Sequence, residues 1–199
     1  MKKEYYDNLV PNMEKYIKKC DELIALMEQE ILDKAYNELS EGKQVMLAEA
    51  AYLPMSERIK KFEAMSYNTS LMPYEKTAEI YTAKGEQVRS KSEKIIADEL
   101  YHRGIPYHYE KPLVLDNRGK QVAIFPDFTV MNVSTGKILY LEHLGMMDQP
   151  EYCQSAMRKL GLYERNGLLL GRDVIVLHES NSEPLNIRTL NQYIDEFLV

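Results

Sequence analysis

Apolar positions in the first part of the chain recur with a helical period. Met13, Ile17, Cys20, Ile24, Met27 and Ile31 alternate steps of four and three, a heptad-like stripe that predicts one long helix. Pro11 suits the first turn of that helix, where a missing N–H costs nothing. Leu23 and Leu26 widen the apolar face beyond a two-stranded seam. Glu41-Gly42-Lys43 interrupts the pattern, and helical spacing returns over Gln44 to Tyr52 and over Pro54 to Met65. In the latter, Ser56-Glu57 makes a start signal and Ile59, Phe62 and Ala64-Met65 give the spacing. Asn, Ser and Pro between Tyr67 and Tyr74 predict irregular chain. Residues 1–75 therefore read as a helical region for packing or for a homodimer, with a linker over 76–85. No side chain in them suggests chemistry.

From residue 86 onward the period changes. Ser90 to His102 is amphipathic and helical, stopped by Arg103-Gly104-Ile105-Pro106. Tyr107 to Leu115 alternates as a strand, and Asp116 to Lys120 turns the chain. Gln121 to Met131 predicts a second strand, Val133 to Gly136 a turn, and Lys137 to Leu144 a third strand. Glu151 to Asn166 reads as a helix closed by Gly167, Asp173 to His178 as a short apolar strand, and Leu185 to Leu198 as a last helix. Three meander strands followed by a helical crossover predict an α/β domain over 86–199 with a mixed sheet.

Composition narrows the class. At 199 residues, 45% hydrophobic and 28% charged, the chain has the balance of an ordinary globular protein rather than a disordered or disulfide-framed one. No apolar run is long enough to cross a bilayer, and the N-terminus lacks the apolar core of a secretory signal. Two isolated cysteines, Cys20 and Cys153, suggest neither a zinc knuckle nor a redox pair. A cytoplasmic protein is the expectation. A net charge of -6 argues against retention on nucleic acid by bulk charge alone. It leaves room for acids that hold cations against a phosphate.

Two acids in the predicted sheet are out of place. Pro126-Asp127 interrupts the apolar run from Val122 to Val130, and Glu142-His143 interrupts the run from Ile138 to Leu144. A hairpin loop centred between Ser134 and Thr135 sets Asp127 opposite Glu142 on one face, with Cβ atoms about 5 Å apart. Two like charges that close repel unless a proton or a cation lies between them. Pairing with Arg or Lys, or a solvated face, is one solution. A hard divalent cation with oxygen ligands, Mg²⁺ in the usual case, is the other. No His or Cys pair has zinc-ligand spacing, and no Gly-rich phosphate loop occurs. Tyr140 could offer a base-stacking surface or simply pack.

A helix bearing a Glu, then a hairpin bearing Pro-Asp and Glu-x-x, resembles the PD-(D/E)xK nuclease superfamily. The carrying residues are Arg89-Ser90-Lys91-Ser92-Glu93, Pro126-Asp127-Phe128 and Leu141-Glu142-His143-Leu144-Gly145. The first and last of these stretches, with Tyr107-His108-Tyr109-Glu110, are also similar to a set of bacterial nuclease-like proteins. The resemblance covers Gly85 to Val199 and implies a restriction-endonuclease-like αβββαβ core. It implies that Asp127 and Glu142 hold one or two Mg²⁺ (or Mn²⁺), with Glu93 orienting water or completing a second site. Arg89, Lys91 and the helix containing Arg158, Lys159 and Arg165 would contact nucleic acid, with DNA the expected substrate. The pattern departs from the family at Leu144, where a Lys is usual. His143 is the first candidate to replace it as a catalytic group, ahead of Arg89 and Lys111. The alternative to a Mg²⁺-dependent nuclease is a nuclease fold that binds nucleic acid or a protein without cutting.

Overall fold

The structure is a computed structural model and describes residues 2–28, 31–40, 43–44, 53–67 and 79–199. The chain divides into two compact units, residues 1–54 and 55–199. In the first, α1 runs from Lys2 to Glu28 and α2 from Ile31 to Asn37. Because α1 begins at Lys2, Pro11 lies in the helix interior, not in the predicted first turn, and there it removes a ladder donor. Met13, Ile17, Ile24 and Met27 are exposed along α1, whereas Ile31 begins α2. The helix expected over 44–52 lies outside the described residues apart from Gln44, as does the 67–74 segment apart from Tyr67.

The second unit opens with α3, Met55–Glu63. Sequence alone assigns this helix to the N-terminal region, but its contacts belong to the α/β unit. Phe62 is buried under the His108 ring, and His108 Nε2 lies 2.6 Å from the Phe62 carbonyl. The Arg58 guanidinium donates to the carbonyls of Thr135 and Gly136 at 3.0 and 3.1 Å. Gly136 has φ 67°, and a Cβ there would collide with that guanidinium. The short strands β1 (Ile80–Tyr81) and β2 (Gln87–Val88) pair as a hairpin, so the predicted linker contains a strand.

Helix α4, Lys91–His102, starts at Ser90, whose side chain accepts from the Glu93 N–H. The predicted first and second strands are each broken in two. β3 (Tyr107–Tyr109) ends at Glu110, which has φ 49°, and Pro112 follows before β4 (Leu113–Asn117). β5 (Lys120–Ile124) ends before Phe125-Pro126-Asp127, and β6 is Phe128–Met131. A left-handed residue and a proline stop one ladder, and a second proline stops the other. The arms β4 and β5 therefore pair with each other as a separate ribbon. The main sheet has the order β3-β6-β7-β8, with β7 at Ile138–Leu144 and β8 at Val174–His178. β6 is antiparallel to both of its neighbours, β3 and β7, and β8 joins β7 in parallel after the crossover helix α5, Pro150–Arg165.

Alternation along the strands builds two layers of core. Leu139 and Leu141 of β7 join Ile96 and Leu100 of α4 and Leu190 and Ile194 of α6 (Ile187–Phe197) on one face. Tyr140 and Leu144 join Leu160 and Tyr163 of α5 on the other. The unit is α/β with a mixed sheet, as the order of periodicities predicts. Among the described residues no helix is long and apolar enough to cross a membrane.

Candidate active site

The sheet register puts three acids in one row. The β6–β7 ladder pairs Phe128 with Leu141, and its next step sets Asp127 beside Glu142. This is the register that the hairpin loop predicts. The β3–β6 ladder pairs Tyr109 with Phe128, and its next step is made by the Glu110 N–H donating to the Asp127 carbonyl at 3.0 Å. Glu110, Asp127 and Glu142 thus stand on adjacent strands where the ladders end. They are 2%, 6% and 1% exposed. Asp127, Glu142, Arg89, Glu93, His143 and Lys159 line a cleft of about 340 Å³.

Glu142 faces α5. Lys159 donates to its Oε2 at 2.7 Å, and the Tyr163 hydroxyl donates to its Oε1 at 2.5 Å. Lys159 and Tyr163 are four residues apart on one helix face, which lets both reach the same carboxylate. Lys159 also donates to the Phe125 carbonyl at 2.7 Å, so the break before Asp127 fixes the ammonium. Burial, then repulsion from Asp127, pushes the Glu142 carboxyl up to about 7 despite Lys159 and Tyr163.

Asp127 has different partners. Its Oδ2 accepts from the His143 N–H at 2.7 Å, and its Oδ1 accepts from Arg89 Nη2 at 3.2 Å. Burial is again the main cause holding its carboxyl above the usual range. Arg89 Nε makes an ion pair with Glu110 Oε1 at 2.8 Å, and Nη2 lies 3.6 Å from Glu93 Oε1. The Tyr109 hydroxyl and the Arg89 N–H donate to Glu93 Oε2 at 2.6 and 2.9 Å. The basic side chains that sequence reasoning offered as partners for the two acids are therefore present, one on each.

The structure brings Glu93, Asp127, Glu142, Arg89 and Lys159 together. His143 lines the same cleft, but its ring lies across β7 from Glu142, with Nε2 3.5 Å from Glu179 Oε1. Strand β7 continues through Leu144, so His143 does not turn to the Glu142 face, as the Lys replacement would require. Leu144 packs in the core beside Tyr163. Lys91, Arg158 and Arg165 are exposed. Lys111 lines a different pocket, beside Phe62, Met65 and Tyr140. Tyr140 packs near Tyr163, with ring centroids 5.9 Å apart. The sequence pattern gives Glu110, within the Tyr107–Glu110 stretch, and Tyr163 no role of their own. Glu110 is hidden because a single strand was read through it, and the Pro112 two residues on is the signal that breaks that strand.

Asp127 and Glu142 offer carboxylate oxygens, the donor type a hard cation takes, and Mg²⁺ commonly takes only one or two protein carboxylates; Arg89 and Lys159 already bring positive charge to the pair. Among the described residues, no group of three or more His, Cys, Asp or Glu side chains is arranged to hold a metal ion.

No family model matches the chain. Over 118 residues, 58% of its length, the chain is 33% identical to an uncharacterised protein of Methanocaldococcus jannaschii. The match spans 9% of that protein's length.

Proposed function

We propose that residues 55–199 form a Mg²⁺-dependent nuclease of restriction-endonuclease-like fold that hydrolyses phosphodiester bonds, with DNA as the substrate. The observation that carries this reading is Lys159, whose ammonium sits 2.7 Å from Glu142 in the cleft that also holds Asp127. Leu144 left the strand without its expected Lys, and Lys159 brings one to the same carboxylate from the neighbouring helix. The reading also draws on the order of α4, the β3-β6-β7 meander, α5 and β8. Lys159 favours cutting over a silent fold, since its absence from the strand was the reason to expect silence.

In this reading Asp127 and Glu142 hold the metal. When bound, Mg²⁺ supplies charge to the phosphoryl oxygen and makes water more acidic. Lys159, braced by the Phe125 carbonyl, orients the attacking water and takes up part of the negative charge that grows on the phosphate. Tyr163 fixes the Glu142 carboxylate by its hydrogen bond, so that the acid meets its ligand without reorganising. In this reading exposed Arg158 and Lys91 meet the nucleic-acid backbone.

The test is cleavage of plasmid and single-stranded DNA in Mg²⁺ and in Mn²⁺. Wild type is expected to cut and Asp127→Asn to be inactive. No cutting by wild type with either metal, or equal cutting by Asp127→Asn, would overturn the reading.

A further inference from the structure

Arg89 is enclosed by acids. Its guanidinium contacts Glu110, Asp127 and Glu93 at 2.8, 3.2 and 3.6 Å. Each of the three is more than nine-tenths buried. Glu110 reaches Nε from a backbone with φ 49°, a region that L residues seldom enter and keep only where the surroundings hold them. Glu93 is fixed in turn by the Tyr109 hydroxyl and by the Arg89 N–H. A side chain needed only for substrate contact would not require this much buried acid around it.

We propose that Arg89 is a built-in second cation: it fills the place among Glu93, Glu110 and Asp127 that a second divalent ion would occupy, so the site takes one divalent ion and not two. The proposal rests on the nuclease reading above. Charge balance supports it. Glu93, Glu110, Asp127 and Glu142 carry four negative charges when ionised, and Arg89 and Lys159 return two. What remains is the charge of one divalent ion, at Asp127 and Glu142. The balance is that of the acids touching Arg89 or Lys159; Glu179 also lines the cleft, but beside His143, where it accepts from the Ser92 hydroxyl and the Leu185 N–H. A second ion would have to sit against the guanidinium, where repulsion in a low-dielectric cleft is strong. Glu110 is a positioning residue here. By taking Nε it turns Nη2 toward Asp127 and Glu93.

The test counts Mn²⁺ bound to the full chain by electron paramagnetic resonance. Wild type and Arg89→Lys are expected to bind one ion per chain. Arg89→Ala, which removes both the charge and the bulk, is expected to bind two, and circular dichroism checks that it is folded. If Arg89→Ala fails to fold, Arg89→Gln, which is shorter and neutral, takes its place, again with two ions expected. Two ions in wild type, or one in the folded neutral variant, would overturn this proposal and leave the nuclease reading standing. No bound Mn²⁺ in any form would overturn both.

Discussion

Lys159 on α5 and Glu142 on β7 meet at 2.7 Å, with Tyr163, one turn further along the helix, on the other oxygen of the same carboxylate. The strand position that would have supplied the cation is Leu144, and the helix packed on that face supplies it instead. Lys159→Met is expected to lower kcat by about 100-fold or more, the range for losing one preorganised donor to a developing charge. KM for DNA should change little. His143→Ala should cost less, because that ring is turned to Glu179. Steady-state cleavage in Mn²⁺ by the two variants checks both expectations.

The raised carboxyls make a prediction about stability. Burial, with Asp127 beside it, pushes the Glu142 carboxyl up to about 7 in the folded protein, against an ordinary value of 4.5. Between those values the folded protein holds a proton that the unfolded chain has lost. The metal-free protein should therefore lose stability as pH rises through that window, by on the order of 3 kcal/mol from this group. Glu142→Gln should flatten the dependence. Thermal melts in a chelator at pH 5 and pH 7.5, for wild type and variant, measure the difference.

The acid pair was legible because strand pairing is arithmetic. Once the hairpin loop is centred between Ser134 and Thr135, Asp127 must fall beside Glu142, and the Ser90 cap places Glu93 at the start of its helix. Lys159 was legible as a basic residue on a helix and not as a partner of Glu142. Periodicity says which helix face is apolar but not which strand position that face will cover. Glu110 was lost for another reason. Tyr107 to Leu115 alternates well enough to pass for one strand, with Pro112 the sequence sign against it, and the positive φ at Glu110 makes the break. Helix α3 was assigned to the wrong neighbour because Phe62 looks the same in any amphipathic helix until its contact with His108 is seen.

That contact gives a further prediction. Phe62 is 1% exposed, and Phe62→Ala should destabilise the α/β unit by about 3–5 kcal/mol. A chain beginning at Met55 should fold, whereas one beginning at Tyr81 loses α3 and uncovers His108. Chemical denaturation of the two truncated chains, followed by circular dichroism, compares them.

Helix α1 leads to an expectation about assembly. Met13, Ile17, Ile24 and Met27 form an exposed apolar stripe with heptad-like spacing, the pattern that pairs helices with one another. A homodimer is expected, with twice the 23.2 kDa chain mass by light scattering at tens of micromolar. Ile17→Asp/Ile24→Asp should return it to a monomer.

The central claim is that Asp127 and Glu142 hold a divalent cation, and calorimetric titration with Mn²⁺ tests it most directly. The account predicts saturable binding by wild type, and loss of that binding in Asp127→Asn while the variant stays folded. Equal binding by the two proteins, or none by wild type, would contradict it.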